Sequence, residues 1–181
     1  MLVDLSIAWV VTLNIVAWGV IQFGLAWAFT LPAPGRFNPD HPLARPRNWE
    51  RQGRTYERVF AIKCWKDKLP DAASWFPGGF AKAQLGTASP ELLKRFARET
   101  WRGELVHWIA LLALPLFCVW NPWWAVGVNA ACAIALNFPC ILVQRYNRAR
   151  LWRLLAGHSC RASTLHSRRR AVPQDDDGRS V

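Results

Sequence analysis

From Leu5 to Gly35 the chain carries no charged side chain, and Leu5–Leu31 alone is longer than a membrane crossing requires. An α-helix spans the hydrocarbon core with about 20 residues. In lipid the backbone must satisfy its own hydrogen bonds, so such a run is helical. A secretory leader would place basic residues ahead of a shorter apolar stretch. Here Met1-Leu2-Val3-Asp4 is acidic, which predicts a retained helix. A second apolar run extends from Leu105 to Trp120 and a third from Trp123 to Val143, separated by Asn121-Pro122. That dipeptide is turn chemistry, so the two runs read as a tight helical hairpin. Pro115 and Pro139 are each expected to kink their helix. The fold class is an all-α membrane protein with three transmembrane helices plus amphipathic interfacial helices.

The cationic residues orient these spans. Of 23 Lys and Arg, fourteen lie between Arg36 and Arg102 and nine follow Val143. None precedes the first span, and none lies in the Asn121-Pro122 turn. The positive-inside rule then puts the N-terminus and that turn outside, with the middle segment and the C-terminus in the cytoplasm of a multi-pass cell-membrane protein. A net charge of +11 in a soluble protein would suggest nucleic acid. Here the cations flank apolar spans and face anionic headgroups, so the expected partner is the lipid bilayer and not nucleic acid. Twelve Trp residues fit the same setting, since indole favours the membrane–water boundary. The chain divides into a first transmembrane helix (1–35), a cytoplasmic interfacial segment (36–104), a transmembrane hairpin with a basic juxtamembrane helix (105–155) and a tail (156–181).

Within the interfacial segment, Leu31–Pro46 is proline-rich and runs along the surface. Trp49, Tyr56, Phe60 and Lys63 recur at helical spacing, which predicts an amphipathic helix over Trp49–Lys63. Trp65, Trp75, Phe76 and Phe80 continue the aromatic density of a helix lying in the interface plane. Pro77-Gly78-Gly79 is a turn, and Ser89-Pro90-Glu91 has the pattern of an N-cap, first position and acidic first turn. Beyond Gly157 the polar tail, with Arg168-Arg169-Arg170 and Asp175-Asp176-Asp177, is expected to be disordered.

Several chemistries are excluded. Cys64, Cys118, Cys132, Cys140 and Cys160 form no Cys-x-x-Cys pair, which argues against a disulfide framework and a zinc site. Glu104-x-x-His107 is half of a di-iron carboxylate motif, but no second Glu-x-x-His follows, so neither metal nor cofactor is expected. Nucleophile-elbow, P-loop and dinucleotide fingerprints are absent.

What remains is a polar set at the start of the second span. At about 100° per residue, Thr100, Glu104 and His107 fall within roughly 60° of one another. Glu99 can pair with Arg102 on the adjacent face. A titratable group inside an apolar run marks a functional site by default. The third span ends with Asn137, Gln144 and Arg148 within about 40°. The hairpin brings both sets to one leaflet. An imidazole with a carboxylate partner, facing amides and guanidiniums, suits acyl transfer. His107 would accept the proton of a hydroxyl, Glu104 would orient the ring, and Arg145 or Arg148 would hold a phosphate or the developing oxyanion. Glu99 is the next candidate base. The bland reading of the same residues is a helix boundary anchored at headgroups.

Three blocks carry a further signal. The first is Trp49-Glu50-x-x-Gly53-x-x-Tyr56-Glu57-Arg58 with Ile62-Lys63-x-Trp65-Lys66-Asp67. The second is Glu99-Thr100-x-Arg102-x-Glu104-x-x-His107-Trp108. The third is Asn137-x-Pro139-x-Ile141-x-x-Gln144-Arg145-Tyr146-Asn147-Arg148-x-Arg150-Leu151 with Leu154-Leu155. Over roughly residues 1–155 the chain resembles the glycosyl-4,4'-diaponeurosporenoate acyltransferases of bacterial carotenoid synthesis. The resemblance implies a membrane acyltransferase that esterifies a sugar hydroxyl of a glycosylated carotenoid or similar glycolipid with a fatty acyl group. The partners would then be an acyl thioester donor and a glycosylated lipid acceptor, with a homo-oligomer enlarging the small enclosure. Within the blocks, the substrate-binding candidates are Arg102, Asn137, Gln144, Arg145, Asn147, Arg148, Lys63 and Lys66. The competing reading is a non-catalytic lipid-binding or scaffold membrane protein.

Overall fold

The computed structural model describes residue 3 and residues 5–69 and 89–170, with the backbone alone for Pro34 and 158–170. Four α-helices dominate: α1 (Ile7–Ala28), α2 (Arg54–Val59), α3 (Pro90–Leu112) and α4 (Trp123–Arg170). No strand occurs among the described residues. Three helical stretches are long and apolar enough to cross a membrane, Ile7–Ala28, Pro90–Val119 and Trp123–Gly157. The protein is an all-α membrane protein, as its apolar runs predict.

The second span begins well before its apolar run. Ser89 caps α3, its hydroxyl accepting from the Leu92 N–H at 3.2 Å, with Pro90 at the first position and Glu91 in the first turn. Proline at that position costs nothing, because its N–H would have no partner in the helix. The other end departs from expectation. Pro115 does not kink α3 but stops it at Leu112, and Leu114–Val119 continues as a tighter 3-10 helix. The ring of Pro115 clashes with the carbonyl four residues back, which an α-helix cannot absorb without breaking. Pro139, in contrast, lies inside an uninterrupted α4. Asn121 closes the hairpin by donating to the Phe117 carbonyl at 3.0 Å. Lower down, Gly103 lets the two helices meet: a Cβ there would lie 2.9 Å from the Gln144 amide nitrogen.

α1 buries none of its residues, and Ile7, Val11, Ile15 and Phe23 are exposed, as lipid-facing positions should be. A narrow polar seam joins it to the hairpin. Asn14 and Asn121 exchange amide hydrogen bonds at 2.9 and 2.8 Å, the Trp18 indole donates to Asn129 at 2.9 Å, and the Gln22 amide donates to Asn137 at 3.0 Å. Each such bond within a membrane contributes about 0.6–2 kcal/mol. Together they set the depth of α1 against α4.

The amphipathic helix expected over Trp49–Lys63 is broken into pieces. A 3-10 turn covers Asn48–Gly53, α2 follows, and a second 3-10 turn covers Ile62–Cys64. The breaks fall where Arg51, Gln52, Gly53 and Ala61 adopt positive φ. The pieces do not lie apart from the bundle. Tyr56 and Ile62 are fully buried against Leu142, Val143 and Tyr146 of α4. Gly53, at φ 95°, is needed there, since a Cβ would approach the Tyr146 ring and the Arg150 side chain at 3.2 Å.

The helix α4 also runs further than expected, so that 157–170, predicted to be disordered, is helical. Once nucleated, a helix propagates cheaply through a stretch without proline. Pro77-Gly78-Gly79, Trp75, Phe76, Phe80 and Asp175-Asp176-Asp177 lie outside the described residues.

Candidate active site

Two polar clusters occupy the interface of α3 and α4. The first centres on Glu104, 1 % exposed. Its carboxylate accepts from Arg148, from Arg145 at 3.0 Å and from the Trp108 indole at 3.1 Å. Arg145 reaches on to Glu50 at 2.6 Å, and Arg148 donates to the Ala44 carbonyl at 2.6 Å while lying over the Trp101 ring at 5.4 Å. The strained turn at Arg51-Gln52-Gly53 is what delivers Glu50 to this place; residues held at such φ cost about 1–3 kcal/mol and persist only where packing enforces them. Tyr56 packs beside this network. Burial first, and the Glu50 carboxylate second, push its phenol up to about 12, so it stays protonated. Nearby, Lys63 at 2.8 Å and the Tyr146 hydroxyl at 2.9 Å hold the Glu57 carboxyl below its ordinary value.

The second cluster centres on His107. Its Nδ1 lies 2.9 Å from the Oδ1 of Asn137. The amide of Asn137 is oriented by its own helix, because Nδ2 donates to the Ala133 carbonyl at 2.9 Å. The oxygen therefore faces both Gln22 and His107, and an oxygen can only accept. It follows that Nδ1 of His107 carries the proton and Nε2 presents a lone pair. No hydrogen bond to Nε2 occurs among the described residues. This is the form a general base needs.

The geometry redistributes the residues expected from sequence. His107 and Glu104 do lie one turn apart, but Glu104 is engaged by Arg145, Arg148 and Trp108, and the ring partner is Asn137 instead. The reason is competition: two guanidiniums offer the carboxylate stronger charge-assisted bonds than a neutral imidazole does. Arg148, 1 % exposed, is closed off inside the same network. Glu99 and Arg102 pair at 2.5 Å on the neighbouring face, as anticipated. Thr100 bonds back to Ala97 of its own helix. Gln144 packs at Gly103, and the side chains of Gln144 and Asn147 form no hydrogen bond among the described residues. Lys63 and Lys66 pair with Glu57 and Asp67 and are not gathered with His107.

Sequence reasoning missed Gln22, Trp18, Asn14 and Asn129, read Asn121 only as a turn residue, and named Glu50 only within a resemblance block. A signal for the first group was present. Asn14, Trp18 and Gln22 are spaced by four residues and so fall on one helical stripe, and Asn121, Asn129 and Asn137 recur every eight residues through an otherwise apolar run. No group of His, Cys, Asp and Glu suited to a metal ion exists among the described residues.

Fold and site together define a small polytopic helical membrane protein with a titratable centre inside its hairpin. Comparison with known proteins specifies it further. The family model of glycosyl-4,4'-diaponeurosporenoate acyltransferase matches residues 39–157. The glycosyl-4,4'-diaponeurosporenoate acyltransferases of Staphylococcus aureus strains bovine RF122 / ET3-1 and MRSA252 are each 30% identical over 138 residues, which cover 76% of this chain and 83% of theirs. No solved structure matches the chain significantly. The chain belongs to the glycosyl-4,4'-diaponeurosporenoate acyltransferase family and is an acyltransferase.

Proposed function

We propose that this acyltransferase moves a fatty acyl group from a thioester donor to a sugar hydroxyl of a glycosylated carotenoid or a similar glycolipid, with His107 as general base. The observation that carries the mechanism is the 2.9 Å contact of His107 Nδ1 with the Asn137 oxygen, with no hydrogen bond to Nε2 among the described residues. The acceptor hydroxyl gives its proton to Nε2 as its oxygen attacks the thioester carbonyl. The tetrahedral intermediate collapses with departure of the thiolate, which takes the proton back from the imidazolium. Base help of this kind contributes about 10²–10⁴-fold. Asn137 holds the ring, and the amides of Gln144 and Asn147 are available to the sugar hydroxyls or the oxyanion. Glu104, Arg145 and Arg148 serve to lock α3 to α4. The nature of the acceptor follows the names of the relatives, and the membrane setting suits two lipid-like substrates.

The cationic flanks support a site facing the cytoplasm, where acyl thioesters are made, and an outward N-terminus. The test is transfer of a radiolabelled acyl group to a glycosylated carotenoid in purified membranes. Label should appear in the glycolipid with the wild-type protein and fall to background with His107→Gln at equal protein level. Label transfer undiminished by His107→Gln would remove His107 from the mechanism, and absence of transfer by the wild type to any glycosylated lipid would remove the acceptor. Reporters fused after Val181 should read cytoplasmic, and an exofacial signal would reverse the topology.

A further inference from the structure

The first helix looks at first like a plain anchor: it buries nothing, carries no charge, and lies outside the residues matched by the family model. Its polar seam says otherwise. Three asparagines of the hairpin share one geometry. Asn121, Asn129 and Asn137 each donate to the carbonyl four residues back, Phe117, Ala125 and Ala133, at 3.0, 2.9 and 2.9 Å. Each then turns its side-chain oxygen toward α1, where Asn14, Trp18 and Gln22 supply the donor at 2.9, 2.9 and 3.0 Å. The first two rungs join helices. The third differs in one respect: the oxygen of Asn137 also accepts from His107 at 2.9 Å.

From this we infer that Gln22 is a positioning residue, holding the Asn137 oxygen toward His107 and so keeping the ring in the form that leaves Nε2 free. The inference rests on His107 being the base. An amide has two faces of opposite character, and the one presented to the ring selects its tautomer. With a donor at position 22, turning the Asn137 NH₂ outward would set two donors against each other in lipid and also break the bond to Ala133. With an ionised acceptor at position 22, the balance reverses. The Asn137 NH₂ would turn to meet it and to meet Nδ1, and the ring proton would move to Nε2. In the wild type the bond to the Ala133 carbonyl holds the oxygen toward the ring from within α4, and Gln22 adds the hold from α1. On α3, Glu104 is paired with Arg145 and Arg148 of α4, Glu99 is paired with Arg102, and α1 carries no charge.

Two variants and two measurements decide the matter. Gln22→Leu keeps size and suits the bilayer while removing the donor, and Gln22→Glu supplies a donor only when its carboxyl is protonated. Such a carboxyl inside a membrane titrates well above its ordinary range. In the transfer assay Gln22→Leu should lose about tenfold in kcat with KM unchanged, on the scale of one lost hydrogen bond. In the wild type the rate should rise with pH as the imidazole loses its proton. In Gln22→Glu it should rise and then fall, because ionisation of the new carboxyl blocks the base. Nitrogen NMR of histidine-labelled protein in detergent reads the tautomer directly and independently of catalysis. The wild type should show proton on Nδ1, and Gln22→Glu at high pH should show it on Nε2. Unchanged tautomer and a wild-type pH profile in Gln22→Glu would overturn the role of Gln22. Full activity in His107→Gln would instead overturn the base assignment, whatever the NMR reports.

Discussion

The two polar clusters of the hairpin stand about one helical turn apart and are built in opposite ways. Around Glu104 the chain gathers two guanidiniums, an indole and a second carboxylate, so that the central acid is 1 % exposed and saturated with donors. Around His107 a neutral amide grips one nitrogen and the other is left without a partner among the described residues. A buried charge must be compensated or the fold fails, and every compensation lowers its reactivity. A base must keep a lone pair free. Charge concentration supports a scaffold role around Glu104, and the unpartnered Nε2 of His107 suits the proposed chemistry.

The largest effect should come from removing the hub of the saturated cluster. Glu104→Ala leaves the buried Arg148 without a carboxylate and Arg145 with Glu50 alone, and should destabilise the protein by about 3–5 kcal/mol. Thermal unfolding in detergent, or loss of protein from the membrane, would register it. Near-wild-type stability would mean that the cluster is not the lock between α3 and α4. Next comes the open cluster. His107→Gln should lower acyl transfer by about 10²-fold while leaving the unfolding temperature within a degree or two, since losing general base help costs rate alone. Should His107→Gln unfold as readily as Glu104→Ala, the division between scaffold and chemistry collapses.

A third change tests how Glu50 arrives. Gly53→Ala forces a Cβ into left-handed backbone at φ 95° and against the Tyr146 ring, at a cost of roughly 1–3 kcal/mol. Activity should fall less than with His107→Gln, because the turn supports only the saturated cluster. The smallest effect is one of pH. Glu57 has its carboxyl pulled down by Lys63 and Tyr146, so its folded form binds a proton less readily than the unfolded chain does. Its contribution is therefore present above the ordinary carboxylate range and lost as pH falls through the lowered value. Stability of the wild type should decline slightly more on acidification than that of Glu57→Gln, and identical acid profiles would show that the pair does not fasten α2 to α4.

Much of this architecture is legible without coordinates. The spans follow from hydropathy and length, and the start of α3 from Ser89-Pro90-Glu91, because each is a property of neighbouring residues. The break over Trp49–Lys63 was not legible. Its apolar spacing fits a helix, but docking Tyr56 and Ile62 onto α4 demands positive φ at Arg51, Gln52 and Gly53, and that demand arises from a distant surface. The Pro115 stop was half legible: proline announces a disruption, while the neighbours decide between a kink and an end.

The sequence by itself therefore determined that this chain lives in a membrane, where its helices cross, and that Glu104 and His107 share a helical face. Only the tertiary structure decided which of them partners what. Glu104 meets arginines 41 and 44 positions away, and His107 meets an asparagine 30 positions away that is itself gripped by a glutamine 115 positions from it. Residues one turn apart can pair, but whether they do depends on what the facing helices offer. Here two guanidiniums out-compete an imidazole for the carboxylate, and the imidazole is left to a weaker partner that keeps one of its nitrogens free.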